Sequence, residues 1–104
     1  MTVKNIKGTD VELDDIGYMT KLEQWSKDIA RELAKSVDIH ELTDRHWTVI
    51  DYIQAEYKKG TALSIRRINK SGVVDVKEFF ELFPDGPLKK ASLIAGIPKP
   101  ISCV

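Results

Sequence analysis

One thiol, two prolines and a pair of adjacent guanidinium groups are the residues of this chain best suited to chemistry. The single cysteine, Cys103, closes the segment Gly96-Ile97-Pro98-Lys99-Pro100-Ile101-Ser102-Cys103 and is followed only by Val104. A free cysteine kept for packing behaves as a small hydrophobe and belongs in a core. Cys103 instead follows two prolines at the end of the sequence, where chains are least tied down. That placement suits a reactive group presented to another molecule. The thiolate is the nucleophile of cysteine chemistry; its ordinary pKa of about 8.5 falls beside a cation, and Lys99 is the nearest one in sequence. Pro98 and Pro100 stop a helix and hold the residues before them extended. They also stiffen the arm, so that it loses less entropy on entering a partner's cleft. Fully extended, residues 96 to 103 reach roughly 20–25 Å.

Arg66 and Arg67 follow a short apolar run. The pair reads either as a solvated face or as a source of charge-assisted contacts to an anion near a folded-back arm. His46 falls in the first turn of an expected helix and reads as structural or surface; His40 precedes that helix and has no assigned role. No Cys/His or His/carboxylate cluster at metal-ligand spacing accompanies them, so no metal is expected. There is no glycine-rich phosphate loop, nucleophile elbow or pair of catalytic carboxylates, and no cofactor is expected.

The elements that must position these residues come from periodicity and punctuation. With 104 residues, the chain supports one domain with a single modest core. It is 42% hydrophobic and 31% charged, as globular chains are, and its sixteen basic and sixteen acidic residues cancel. That balance gives no overall field toward nucleic acid or an anionic membrane. No apolar run approaches the ~20 residues that span a bilayer. MTVKNIKGTDVELDD lacks the apolar stretch of a secretory signal, and one cysteine cannot make an internal disulfide, so the expected location is the cytoplasm.

Residues 2–13 alternate apolar and polar around Gly8, which predicts a short hairpin lying on a helical core. From about Leu22 to Val37, Trp25, Ile29, Leu33 and Val37 recur at helical spacing. Thr43 is the expected N-cap of a second helix, with Trp47, Ile50, Ile53 and Tyr57 as its buried face and Gly60 as its stop. A third helix is expected over Ala62–Asn69. Asp75 caps a fourth, with Val74 stapled onto Phe79 and with Phe79, Leu82 and Phe83 facing inward until Pro84. Pro87 opens the last helix, which runs to about Ala95 and stops at Gly96. The fold class is mainly α: a small helical bundle over about 22–95, an N-terminal hairpin and a C-terminal arm, 96–104. The third and fourth helices could also form a helix-turn-helix, but "VKEFFELF" sets one Lys against two Glu and three Phe and favours core packing over DNA reading.

With these residues in place, "ELFPDGPLKKASLIAGIPKPISCV" resembles the C-terminal signature of the DsrC/TusE proteins, small sulfur carriers of sulfur metabolism and tRNA thiolation. The matching pieces are Leu82-Phe83-Pro84, Gly86-Pro87, Ala95-Gly96, Pro98-Lys99-Pro100 and Cys103, with Gly17-Tyr18, Trp25 and His46-Trp47 upstream. The resemblance implies a persulfide carried on Cys103 and an arm, Gly96, Pro98, Lys99 and Pro100, that docks on partners. With that chemistry, the charge-assisted reading of the arginine pair places Arg66 or Arg67 near a folded-back arm, stabilising the persulfide anion. It implies as partners sulfur-donor relay proteins and a sulfur-accepting enzyme, either a tRNA thiolase or a sulfite reductase. The protein would then be a sulfurtransferase-type co-substrate, with no cofactor, nucleic acid or membrane. Two departures stand out. Ser92 occupies the position, eleven before the last cysteine, where members serving dissimilatory sulfite reductase carry a second one. "GTALSIRRINKSGVVD" is shorter than its TusE counterpart and lacks a family proline near Leu63-Ser64. The alternatives are a DsrC-like partner of sulfite reductase without the second cysteine, and a regulatory or DNA-binding protein of the same fold.

Overall fold

The computed structural model describes residues 2–60 and 64–98. Strands β1 (Thr2–Ile6) and β2 (Thr9–Leu13) pair antiparallel, with Thr2 opposite Leu13 and Ile6 opposite Thr9. Lys7 and Gly8 make the two-residue turn, both at positive φ (52° and 84°), the hand that matches strand twist. Ile6 and Val11 drop from the hairpin into a small cluster with Met19, Ile29 and Leu33, while Val3 faces solvent. The hairpin thus lies on helix, as the sequence predicts.

Among the described residues five α-helices follow: α1 (Lys27–Ser36), α2 (Asp44–Lys58), α3 (Ile65–Lys70), α4 (Val76–Leu82) and α5 (Pro87–Ile94). The main core lies among them, with Ile50, Ile53, Ile68, Phe79, Phe83, Ala91 and Ile94 at zero exposure. Capping residues fix several starts. Asp75 Oδ1 accepts the Glu78 N–H at 2.7 Å, and Val74 and Phe79 share the core. His46 takes the place a Glu or Gln holds in a capping box: its Nδ1 accepts the Thr43 N–H at 3.0 Å. Arg45 on α2 grips Glu78 on α4 through two parallel contacts, Nε to Oε2 at 2.9 Å and Nη2 to Oε1 at 2.7 Å. This hydrogen-bonded pairing lowers the Glu78 carboxyl below its ordinary pKa and raises the Arg45 guanidinium.

Three expectations are corrected. The helix predicted from Leu22 to Val37 is broken: Leu22–Gln24 is a single 3-10 turn, Trp25 is extended, and α1 starts only after Ser26. The Ser26 hydroxyl accepts the Ile29 N–H and so satisfies a helix start in mid-pattern. Tyr57 is 42% exposed, because the buried stripe of α2 runs His46, Val49, Ile50, Ile53 and ends on Glu56. Tyr52 donates to that carboxylate at 3.2 Å, and Lys59 pairs with it at 3.3 Å. Finally, α3 starts at Ile65 and not at Ala62, because Ser64 is extended and its hydroxyl caps the Arg67 N–H at 3.1 Å.

Candidate functional site

The site is built from the C-terminal end of α5, where Pro98 brings the chain to the surface. A helix leaves its last four carbonyls without intrahelical partners. Here each one is occupied. Gly96 sits at φ 76°, a left-handed conformation that L side chains rarely adopt. It lets the Ile97 N–H reach Ser92 O at 3.2 Å while the Gly96 N–H reaches Leu93 O at 3.2 Å, the paired bonds of a Schellman ending. The two remaining carbonyls go to distant side chains. Trp25 Nε1–H donates to Ile94 O at 2.7 Å, and Gln54 Nε2–H donates to Ala95 O at 2.8 Å. Ile97 then returns its side chain to the core at 2% exposure, and Pro98 emerges exposed.

Trp25 also explains the glycine. A Cβ built at Gly96 would lie 2.5 Å from Trp25 Cδ1 and 2.9 Å from Cγ, far inside van der Waals contact. The break between the 3-10 turn and α1 places Trp25 at that joint, against α5, while its ring also packs on both core clusters. At the other end of α5, the Tyr18 hydroxyl donates to Lys89 O at 3.3 Å, and burial raises its phenol pKa, with a smaller contribution from Asp14.

Of the residues singled out from sequence, Gly96 and Pro98 stand at this joint, and Ser92 lies one turn before it on α5. Lys99, Pro100 and Cys103 lie outside the described residues. Ser92 has zero exposure, and its hydroxyl has no hydrogen-bond partner among the described residues. An unpaired buried hydroxyl opposes folding, so Ser92→Ala is expected to raise stability by about 1 kcal/mol in urea unfolding. A loss of similar size would show that the hydroxyl has a partner in solution.

Arg66 and Arg67 are exposed on α3 and line a cavity of about 510 Å³ with Tyr52, Glu56, Ser64, Lys70 and Ser71. No described α5 residue lines it. The Tyr52 phenol there is raised above its ordinary pKa, by burial first and then by its bond to Glu56. His46 is buried and fully engaged: its Nε2–H donates to Leu82 O at 2.9 Å, which assigns the ring a structural task between α2 and α4. His40 is exposed. Among the described residues, no three His, Cys, Asp or Glu side chains gather as metal ligands.

Gln54 stands at this joint without having been singled out from sequence, and Trp25 was legible as a helix-periodic residue and a family match, not as a hydrogen-bond donor. The Gln54 bond spans 41 residues and the Trp25 bond 69, beyond the reach of any local pattern. The available signal was an amide-bearing residue beside the apolar stripe of α2.

Comparison with known proteins adds a full-length likeness. The family model described as "DsrC like protein" matches residues 5–104. The chain is 36% identical over 99 residues to the gamma subunit of dissimilatory-type sulfite reductase from Nitratidesulfovibrio vulgaris, covering 94% of each chain. It is 38% identical over 108 residues to the Sulfurtransferase TusE homolog of Haemophilus influenzae, covering 96% of this chain and 98% of the other. Among solved structures, the Allochromatium vinosum DsrC structure superposes with a TM-score of 0.82 at 31% identity, over 98% of this chain and 97% of that one. The expected mainly helical fold with a two-stranded hairpin agrees with that neighbour.

Proposed function

Since this chain belongs to the DsrC-like protein family, we propose that it is a sulfur carrier that accepts sulfane sulfur as a persulfide on Cys103 and yields it to an acceptor protein. The observation that carries this reading is the extent of the family match, which runs through residue 104 and so includes Pro98, Lys99, Pro100 and Cys103. Relatives named as a sulfite reductase subunit and as sulfurtransferases support a place in sulfur transfer for this chain.

The chemistry needs no cofactor. The Cys103 thiolate attacks the terminal sulfur of a donor persulfide, R–S–SH. A sulfur–sulfur bond forms to Cys103, the donor's own sulfur–sulfur bond breaks, and R–S⁻ leaves with the electron pair. The sulfane sulfur keeps its oxidation state, so neither oxidant nor reductant is consumed. Delivery repeats the step with the acceptor's thiolate as nucleophile. With Ser at position 92, no disulfide can close between that residue and Cys103. The carrier therefore works through one thiol, as the TusE-like reading requires.

Gly96, Pro98, Lys99 and Pro100 form the docking arm in this reading. Arg66 and Arg67 supply positive charge for the persulfide anion or its partner: Arg31 and Arg45 each hold a carboxylate, whereas neither Arg66 nor Arg67 has an ion pair among the described residues. The donor and the acceptor, a tRNA thiolase or a sulfite reductase, are proteins. Their shared compartment is the cytoplasm, where thiols stay reduced. A DNA-reading role finds little support, because the exposed positions of α4 are Lys77, Phe80 and Glu81, not a basic face.

The test is a mass spectrum after incubation with inorganic polysulfide. Wild type is expected to gain sulfur on Cys103, and Cys103→Ser to gain none while its stability changes by less than about 1 kcal/mol. Equal uptake by both proteins, or uptake by neither, would overturn the proposal.

A further inference from the structure

The end of α5 is buried, so its last carbonyls cannot be left to water and must find partners within the fold. In this chain, two of the last four are taken by backbone amides and two by side chains from separate elements: Trp25, at the joint before α1, and Gln54, within α2. These partners approach from different parts of the fold, so together with the backbone pair they restrain the helix end in more than one direction. Gly96 is buried under the Trp25 ring, and Ile97 is pinned in the core. The chain is therefore held as far as Ile97, and Pro98 is the first exposed residue beyond the joint.

We propose that Trp25 and Gln54 are positioning residues that fix the direction in which the chain leaves α5 toward Cys103. This rests on the carrier reading for its purpose, but its geometry is independent of it. Sulfur exchange needs two sulfur atoms brought close on a nearly linear path. A direction set at the root of the arm narrows the volume that a thiol seven residues later must search, whereas a frayed root widens it. Neither side chain touches the reacting atoms in this account; each acts through the backbone of α5.

The experiment places nitroxide labels at Lys77→Cys and Lys99→Cys in a Cys103→Ser background and measures the distance distribution by pulsed electron resonance. Lys77 is exposed on α4 and takes no part in the contacts at issue. Trp25→Phe keeps an aromatic ring but removes the indole N–H, and Gln54→Leu keeps approximate volume but removes the amide. Each is expected to widen the distribution roughly twofold, with the double variant wider still, because a helix end without its partners frays. A second pair, Lys21→Cys with Lys77→Cys, reports on the body of the fold and is expected to stay unchanged. Unchanged widths between positions 77 and 99 in Gln54→Leu would overturn the proposal. So would equal broadening of the 21–77 pair, which would signal general loosening. Should Trp25→Phe not fold, Gln54→Leu carries the test alone. Polysulfide loading of the unlabelled wild type keeps the two ideas apart: a wild type that never loads sinks the carrier reading and leaves the distance result standing.

Discussion

Gly96→Ala is expected to destabilise the protein by about 2–5 kcal/mol, the sum of two separate penalties. The first is conformational: at φ 76°, a Cβ meets its own backbone, which costs roughly 1–2 kcal/mol for an L residue. The second is steric. The new methyl would sit 2.5 Å from Trp25 Cδ1, and the ring would have to leave its place on α5. Overpacking of this kind costs about 1–3 kcal/mol. Moving the ring also weakens the Trp25 bond to Ile94 O, so the effect should extend to the direction of the arm. Urea unfolding measures it as a fall in midpoint at unchanged slope. A loss below about 1 kcal/mol would show that Trp25 swings aside freely and that the joint is not locked.

Phe83→Ala is expected to cost about 3–5 kcal/mol, the range for deleting a buried aromatic side chain. Phe83 has zero exposure. Its ring stands edge-on to His46 at 5.1 Å and 77°, and to Phe79 at 5.8 Å and 67°. Truncation would open a cavity between the start of α2 and the end of α4, beside the His46 bond to Leu82 O. The same unfolding measurement applies. A loss below about 1.5 kcal/mol would mean that neighbouring side chains collapse into the space and that α4 tolerates a shift at its end.

Much of this architecture was legible from single residues whose local demand agrees with the fold. Gly8 needed a positive φ and Asp75 a helix to cap, while Pro87 suited only a first turn; each sits where that demand is met. The misreadings arose where two signals overlapped. Trp25, Ile29, Leu33 and Val37 repeat as though on one helix, and the pattern hides Ser26, whose hydroxyl starts α1 inside it. Tyr57 follows Ile53 by four residues, yet the stripe drifts to Glu56, a carboxylate buried because Tyr52 and Lys59 satisfy it. The thiol and its prolines were readable as types in sequence, and the family resemblance gave them a chemistry. The joint that holds their root was not readable, because it depends on which distant donors meet the last carbonyls of α5.

The central claim is that Cys103 holds sulfur in a form that another nucleophile can remove. Cyanide tests it directly, since it attacks sulfane sulfur, takes it as thiocyanate and returns the cysteine as a free thiol. Protein loaded with polysulfide and freed of excess reagent is expected to release thiocyanate in step with the persulfide seen in its mass spectrum, and then to return to its unloaded mass. Release of none, or of the same amount from Cys103→Ser, would contradict the account.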